Sequence, residues 1–322
     1  IYRKIYFDSS EIYQFFKDRK INVVIFEWGN PDMKGEIFEK ILKVSKGLGI
    51  TTLSLPHGLN IYLNSDMHSV YINKIKKGIL PDFDPWNTYD KIIVQSVFHA
   101  NHMIRFGIRS DKVEVWGSTR FSPEWQEVNK HLYDSFVSEK NSENKVKIVF
   151  MMPHWIYNVD KEKTIELIRE LSQNLSIHLV IKDHTRGDTG TFPTKEKYLL
   201  SKNNNIEFNS SVSSTALINW SDIIINFGSS IGLEAIYQGK IIIYPCYLHK
   251  NETIHDTLDT TYKALSSKDV LQLIDDFKNK NLISKPQKDI EKLFNTVVYG
   301  GKDPFNVLDH YYQQLIISSN KI

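Results

Sequence analysis

Short β-rich runs alternate with amphipathic helical patterns along nearly the whole chain, and this alternation constrains the fold more than any other feature. The β-rich runs are residues 22–26, 50–55, 91–94, 112–116, 146–151, 177–181, 222–226 and 240–244. Helical patterns separate several of them, at residues 34–48, 96–106, 160–173 and 230–238. Strand–helix–strand succession is typical of parallel sheets with right-handed crossovers. We therefore predict an α/β chain with two Rossmann-like, doubly wound domains that face a central cleft.

The predicted boundary between the domains lies in a polar stretch. Residues 122–145 begin as a helical pattern and end in a run of charged and small polar side chains, which is typical of a linker. The predicted division is 1–125 for an N-terminal Rossmann-like domain, 126–145 for a linker and 146–322 for a C-terminal domain. A length of 322 residues suits two domains of ordinary size.

Composition excludes several classes of protein. The 40 Lys and Arg residues nearly balance 38 Asp and Glu, so a nucleic-acid partner is not expected. The single cysteine, Cys246, permits neither an intrachain disulfide nor a thiolate metal cluster and suits a reducing compartment. No apolar run reaches the roughly 18–20 residues of a membrane span. We expect a cytoplasmic protein, and leave open its association with the inner face of the membrane and its fusion to further domains.

The richest strand end of the second domain is the turn that follows residues 222–226. In parallel sheets of this kind, ligands bind beyond the carboxyl ends of the strands. Small residues at a strand-to-helix turn expose backbone N–H groups that suit a phosphate, although serines there also serve as plain helix caps. A carboxylate one turn into the helix can accept from a ribose diol or simply be solvated. The candidate donor-binding residues here are Gly228, Ser229, Ser230, Gly232 and Glu234.

Two further strand ends of this domain carry cationic or titratable side chains. Lys182, His184 and Arg186 follow the strand at 177–181, where they could bind a diphosphate or form a solvated charged turn. His154 follows the strand at 146–151, as a donor ligand or as a structural histidine.

The first domain offers candidates for the chemistry at its own strand ends. His57 and Glu27 each follow a strand, and either could take the proton of an attacking hydroxyl. Gly117, Ser118 and Arg120 follow the last strand and could contact the donor. Ordinary turn chemistry is the alternative for these residues.

Several familiar motifs are missing from the sequence. It has no Gly-x-Gly-x-x-Gly after the first strand and no Walker-type loop, which disfavours a dinucleotide dehydrogenase and a P-loop enzyme. It has no Gly-x-Ser-x-Gly elbow, which disfavours an α/β-hydrolase. No Asp-x-Asp occurs in a β-rich context, so a metal-dependent sugar transferase is disfavoured and no metal site is expected.

Residues 220–240, WSDIIINFGSSIGLEAIYQGK, resemble the donor-site signature of GT-B glycosyltransferases. The similarity is greatest to bacterial enzymes of surface-polysaccharide synthesis, including capsule Kdo transferases and teichoic-acid polymerases. The pair His57-Gly58 matches a His-Gly pair of several such enzymes. At residues 182–185, Thr185 stands where their His-Pro turn has proline.

This resemblance implies transfer of a sugar from a CMP-, CDP- or UDP-linked donor to a glycan or glycolipid acceptor, without a metal or other cofactor. Backbone N–H groups and cations would stabilise the phosphate leaving group. It also implies that a C-terminal helix near residues 305–317 returns to the first domain. Two alternatives stay open. One is a non-hydrolysing nucleotide-sugar epimerase, which needs several acids in its cleft, and the other is a non-catalytic nucleotide-binding module of a larger protein.

Overall fold

The computed structural model describes residues 8–27, 37–56, 58–63, 73, 76–79, 82–132, 135–138, 140, 142–184 and 192–319. Two of the predicted site residues, His57 and Arg186, lie outside these ranges. The described part of the chain forms two parallel sheets with helices packed on them, which confirms the prediction of two Rossmann-like α/β domains.

The bounds of the elements follow the predicted alternation closely. The strands are β1 (Val23–Glu27), β2 (Thr51–Leu55), β3 (Lys91–Val94), β4 (Val113–Val115), β5 (Val146–Met151), β6 (Ile177–Lys182), β7 (Ile206–Phe208), β8 (Ile223–Ile225), β9 (Ile241–Pro245) and β10 (Tyr262–Ala264). The helices are α1 (Ser9–Asp18), α2 (Ile37–Gly47), α3 (Val97–Arg105), α4 (Pro123–His131), α5 (Lys161–Gln173), α6 (Thr194–Leu200), α7 (Ser214–Trp220), α8 (Ile231–Tyr237), α9 (Ile254–Thr257), α10 (Ser267–Lys278), α11 (Gln287–Val297) and α12 (Val307–Ser319).

By their contacts, the described residues group into two compact units. The first contains those of Ile1–Leu59, Pro81–Trp125 and Phe294–Ile322, and the second contains those of Asn60–Leu80 and Gln126–Leu293. Residues 60–80 and the predicted linker 126–145 therefore group with the second unit, and residues 294–322 group with the first. The resemblance implies such a return for a C-terminal helix near residues 305–317.

The first unit contains a sheet of order β1-β2-β3-β4, with all strands parallel. One of its hydrophobic clusters consists of Leu53, Ile93 and Trp116, against which Tyr311 and Leu315 of α12 pack. The ring centroids of Trp116 and Tyr311 are 5.1 Å apart, edge to face. Because α12 covers apolar side chains of this sheet, the end of the chain groups with its beginning.

The second unit contains a parallel sheet of order β10-β9-β8-β5-β6-β7. Strands β6, β8 and β9 are buried along their whole length, which explains the apolar runs of β8 and β9, whereas β6 also buries His178 and Lys182. From β5 the chain winds outward through β6 and β7, then returns to the other side of β5 and continues through β8, β9 and β10. The order therefore reverses between β5 and β8, and such a reversal opens a crevice at the carboxyl ends of the two strands.

Residues 61–63 join the second unit through a short antiparallel contact. The N–H of Ile254 donates to the carbonyl of Ile61 at 2.9 Å, and the N–H of Leu63 donates to the carbonyl of Glu252 at 2.9 Å. These two bonds flank a β-bridge between Tyr62 and Thr253. Backbone pairing over three residues therefore explains why this part of the chain groups with the second sheet.

In the part of the chain that the structure describes, no helix combines the length and the apolar character needed to cross a membrane.

Candidate functional site

The crevice of the second sheet is bordered by the loops that follow β5 and β8. These strands are directly paired, with Phe150 opposite Ile225. The two loops approach closely: a Cβ atom on Gly228 would lie 3.0 Å from the Cβ of Pro153 and 3.5 Å from the hydroxyl oxygen of Tyr62. A residue larger than glycine at position 228 would therefore force the two loops apart.

The turn at residues 228–230 presents backbone N–H groups. Among the described residues, the N–H groups of Gly228, Ser229 and Ser230 have no hydrogen-bond partner, and all three residues are partly exposed. Consecutive N–H groups at a strand-to-helix turn form a site for an anion, because each is a donor with partial positive charge. This turn, called the N–H turn below, is the feature of the crevice best suited to a phosphate.

Side-chain donors hold the carbonyl groups of the N–H turn. The Nδ2 of Asn226 donates to the carbonyl of Ser229 at 2.8 Å, and the hydroxyl of Tyr62 donates to the carbonyl of Gly228 at 3.0 Å. The amide of Asn226 fits only because residue 232 is glycine: a Cβ on Gly232 would lie 2.4 Å from the Asn226 Nδ2. Gly232 therefore has a structural role in the turn.

The two serines of the turn differ in what their side chains do. The Oγ of Ser229 accepts a hydrogen bond from the N–H of Ile231 at 3.3 Å, whereas Ser230, at the N-cap position of α8, makes no side-chain cap bond. Ser229 thus performs the capping that the sequence allowed for either serine. Helix α8 is only seven residues long, so the turn's own N–H groups, more than a helix dipole, give the site its character.

Glu234 lies in the first turn of α8 and is only 3 % exposed. Of the two alternatives drawn from the sequence, a solvated acid does not describe it. Its contact with a ribose stays a prediction.

The histidines that follow β5 and β6 lie together. The ring centroids of His154 and His184 are 5.3 Å apart and nearly perpendicular, and the ring of Tyr157 lies 5.4 Å from His154. His154 is buried and its Nδ1 accepts from the N–H of Ile156 at 3.4 Å, while His184 is partly exposed. Two of the residues predicted to bind the nucleotide donor therefore lie side by side, although they follow different strands.

The ammonium of Lys182 is hydrogen-bonded to the segment that follows β7. Its Nζ donates to the carbonyl of Ser210, beyond β7, at 2.6 Å, and burial lowers the pKa of the amine although the nearby Asp183 opposes this. Asp183 accepts from the N–H of Phe192 at 3.0 Å and lies 3.5 Å from the Nζ of Lys197. In this structure both side chains hold neighbouring loops in place by these contacts. To bind the nucleotide donor, the Lys182 ammonium would have to leave the Ser210 carbonyl.

The first-unit candidates are only partly described. Glu27 is the last residue of β1 and is exposed, whereas His57 lies outside the described residues. The backbone of Gly58, with φ of +71°, adopts a conformation that favours glycine, and its carbonyl accepts from the Nε2 of Gln95 at 2.5 Å. The assignment of His57 and Glu27 to the chemistry stays a prediction.

Packing alone explains the glycine at position 117. Its φ is +83°, a Cβ there would lie 3.2 Å from the carbonyl oxygen of Tyr299, and the Tyr311 hydroxyl donates to its carbonyl at 3.0 Å. Ser118 is buried beside it, and the guanidinium of Arg120 lies 5.8 Å from the ring centroid of Phe121. Contact of Gly117, Ser118 and Arg120 with a donor stays a prediction.

Sequence reasoning missed three side chains near the N–H turn. Asn226 ends the β8 run and could have been found by the strand-end rule, but Tyr62 is 166 residues from its partner Gly228 and no local pattern marks it. His249 is buried, its ring stacks on that of Phe227 at 5.7 Å, and its Nε2 has no hydrogen-bond partner in the part of the chain that the structure describes. Burial lowers the pKa of His249 to about 4, with Asp256 opposing the shift, so its imidazole is neutral near pH 7.

Within the described ranges, no three His, Cys, Asp or Glu side chains come together in a group that could hold a metal ion.

Solved structures share this fold. The UDP-GlcNAc 2-epimerase from Neisseria meningitidis bound to UDP-GlcNAc is 14% identical, with a TM-score of 0.56 over 96% of this chain and 80% of that one. A glycosyltransferase from Rickettsia africae is 18% identical, with a TM-score of 0.55 over 96% and 79%. HepE of Anabaena in complex with UDP-glucose is 11% identical, with a TM-score of 0.56 over 96% and 82%.

The fold is that of GT-B proteins. At these identities the likeness extends to the fold alone. None of the three is named as a capsule Kdo transferase or a teichoic-acid polymerase, and that finer resemblance stays a prediction. No protein-family model matches the sequence, and no curated protein matches it.

Proposed function

We propose that this protein is a glycosyltransferase that binds the diphosphate of a UDP-linked sugar at the N–H turn and transfers the sugar to a glycan or glycolipid acceptor. The observation that carries the proposal is the trio of unpartnered N–H groups of Gly228, Ser229 and Ser230 at the reversal of strand order. A diphosphate leaving group needs donors aimed at its developing charge, and backbone N–H groups supply them without a metal ion or other cofactor.

Other residues would complete donor binding. His154 follows β5, which borders the crevice, and His184 follows the neighbouring strand β6. A protonated or donating imidazole there can donate a hydrogen bond to a phosphate oxygen. Glu234, in the first turn of the same helix, would accept from the ribose, and Arg186, Gly117, Ser118 and Arg120 would add contacts. Uridine is favoured as the nucleoside because the similar structures from Neisseria and Anabaena are complexes with UDP-GlcNAc and UDP-glucose.

The chemistry is assigned to the first unit. His57 would act as the general base that takes the proton of the acceptor hydroxyl as its oxygen attacks the anomeric carbon. UDP would leave with both electrons of the broken glycosidic bond. Glu27 is the rival base, because it also ends a strand and its carboxylate is exposed.

Epimerisation is the second candidate, and a specific observation favours it: the Neisseria structure with the same fold is a UDP-GlcNAc 2-epimerase. An epimerase inverts a sugar carbon of the bound donor and needs no acceptor, whereas a transferase releases UDP only when it uses an acceptor or water. The two candidates share the nucleotide site and differ in the fate of the sugar.

Nucleotide binding is tested first. Thermal melting of the protein with UDP, CDP, CMP and GDP should show a rise in midpoint with UDP, since a ligand of the native state stabilises it. His184→Ala should weaken UDP binding by roughly 10- to 150-fold, the loss expected for one charge-assisted hydrogen bond. His131→Ala is the matched control, because this histidine is exposed on α4 and pairs only with Glu127 of the same helix. A wild-type midpoint that no nucleotide raises contradicts the proposal.

Turnover separates the candidate functions. UDP-GlcNAc is incubated with the protein alone and followed by proton NMR, and then incubated with a panel of glycolipid acceptors while free UDP is measured. Acceptor-dependent release of UDP supports transfer, and a new N-acetylhexosamine signal without acceptor supports epimerisation. Tight binding of UDP with neither product favours a non-catalytic binding module and contradicts both enzymes.

A further inference from the structure

We propose that Tyr62 is a positioning residue for nucleotide phosphates, because its hydroxyl fixes the peptide that presents the Ser229 N–H. This inference rests on the proposed function, since it assumes that the N–H turn receives a phosphate. The direct observation is the 3.0 Å hydrogen bond from the Tyr62 hydroxyl to the carbonyl of Gly228.

The geometry of a peptide connects the two groups. The Gly228 carbonyl and the Ser229 N–H belong to one peptide unit, and none of the described peptide bonds is cis. In a trans peptide these groups point in opposite directions. A hydrogen-bond donor that fixes the direction of the Gly228 carbonyl therefore also fixes the direction of the Ser229 N–H, which points the opposite way.

The next peptide of the turn is held in the same way. Asn226 donates to the Ser229 carbonyl at 2.8 Å, which aims the N–H of Ser230. Two successive carbonyls are thus occupied by side-chain donors, while the N–H groups of the same peptides have no partner among the described residues. Such an arrangement is preorganised for an anion, because the turn need not reorient when the charge arrives.

Tyr62 is itself rigidly placed. It is 6 % exposed, its ring lies 6.0 Å from that of Tyr157, and its backbone bridges Thr253 between the hydrogen bonds of its two neighbours. Burial raises the pKa of the Tyr62 phenol far above its ordinary value, so the hydroxyl keeps its proton and remains a donor at any working pH. A buried, neutral, well-held donor suits the orientation of a carbonyl.

Tyr62 also lies close in the sequence to the residue proposed as the base. It lies five residues after His57, the proposed base, and yet its side chain bonds to the turn proposed to receive the donor phosphates. One short stretch of chain therefore carries a candidate for the chemistry and a positioning group for the leaving diphosphate.

The test removes only the hydroxyl. Tyr62→Phe keeps the ring and its packing, so we expect UDP binding, measured by titration calorimetry, to weaken roughly 5-fold, the effect of one hydrogen bond. Tyr262→Phe is the matched control: its hydroxyl also donates to a carbonyl, that of Ile283 at 2.7 Å, but near β10 at the edge of the sheet. The control should bind UDP as the wild type does.

An NMR signal distinguishes positioning from a general structural effect. The correlation between the Ser229 amide and the Gly228 carbonyl carbon reports on this single peptide, and it should shift in Tyr62→Phe but not in Tyr262→Phe. An unchanged UDP affinity in Tyr62→Phe, or an unshifted correlation, overturns the positioning role while the proposed function stands. A wild-type protein that does not bind UDP overturns the proposed function first, before any variant is compared.

Discussion

The side-chain amide of Asn226 occupies the space that a side chain at position 232 would need. A Cβ at position 232 would lie 2.4 Å from the Asn226 Nδ2, well inside van der Waals contact. Gly232→Ala should therefore push the amide away from the Ser229 carbonyl and disorder the N–H turn. We expect weaker UDP binding and a loss of about 1–3 kcal/mol in the free energy of unfolding, the ordinary effect of overpacking.

Calorimetry with UDP and urea unfolding check this prediction. Gly47→Ala is the control, because a Cβ on this residue of α2 would meet nothing within 4 Å and its backbone does not have positive φ. It should leave the unfolding free energy unchanged or raise it slightly. Unaltered UDP affinity in Gly232→Ala would show that Asn226 does not maintain the turn.

Two buried histidines predict a pH dependence of stability. Burial lowers the pKa of His249 and of His255 to about 4, while Asp256 opposes the shift in both cases. In the unfolded chain a histidine has a pKa of about 6.5. Between these values the unfolded state takes up protons that the folded state does not, so the free energy of unfolding should fall as the pH decreases from about 6.5 to about 4.

His255→Leu isolates one of these groups. Among the described residues, neither ring nitrogen of His255 has a hydrogen-bond partner, so the substitution removes no hydrogen bond of the side chain that the structure shows. Urea unfolding from pH 8 to pH 4 should give a shallower decline for the variant than for the wild type, with a constant difference above pH 7.5. Parallel curves throughout would rule out His255 as a source of the dependence.

At the scale of elements, strands and helices were predictable where a pattern was long enough to show its period. The run 146–151 coincides with β5, and the helical pattern 160–173 coincides with α5 and its N-cap Asp160, whose side chain accepts from the N–H of Lys163 at 3.1 Å. Strands β7 and β10 were missed because each has three residues with a charged one at its centre, Glu207 and Lys263. Each forms by pairing its backbone with a longer strand, β7 with β6 and β10 with β9. No local sequence pattern reports such pairing.

The site shows the same limit. The strand-end rule predicted that His154 and His184 lie close together, and their rings do, since parallel strands bring their carboxyl ends to one edge. Their contact with a donor stays a prediction. The rule did not anticipate that the Nζ of Lys182 reaches the carbonyl of Ser210 beyond the neighbouring strand, and donor binding by Lys182 stays a prediction. Tyr62 was out of reach, because only the folded chain brings it to a turn 166 residues away.

Helix α12 contacts the first sheet through Leu315. Leu315 packs on the cluster of Leu53, Ile93 and Trp116, so Leu315→Ala should lower the free energy of unfolding of the first unit by about 1–3 kcal/mol. Leu308→Ala is the control on the same helix, since Leu308 is 39 % exposed and should contribute little. Urea midpoints monitored by tryptophan fluorescence compare the two, and equal effects would mean that α12 does not stabilise the sheet through Leu315.

For the whole molecule, binding and chemistry should be separable by mutation. His57→Ala should retain UDP affinity, because the N–H turn belongs to the second unit, and should lose turnover by roughly 10²–10⁴, the usual contribution of a general base. Glu27→Gln is the comparison, with turnover measured at saturating donor for both. Near-normal turnover of His57→Ala, together with an inactive Glu27→Gln that still binds UDP, would move the role of base to the carboxylate.

The contact between α12 and the first sheet has a consequence for how the chain matures on the ribosome. Leu53, Ile93 and Trp116 emerge early, but the residues of α12 that cover them are made about 200 positions later. At 5–20 residues per second this leaves an interval on the order of 10–40 s in which an apolar sheet face waits for its cover. Residues 126–293, which make up most of the second unit, are synthesised within that interval. The later half of the chain can therefore complete its core first, and the earlier half is the one expected to need a chaperone.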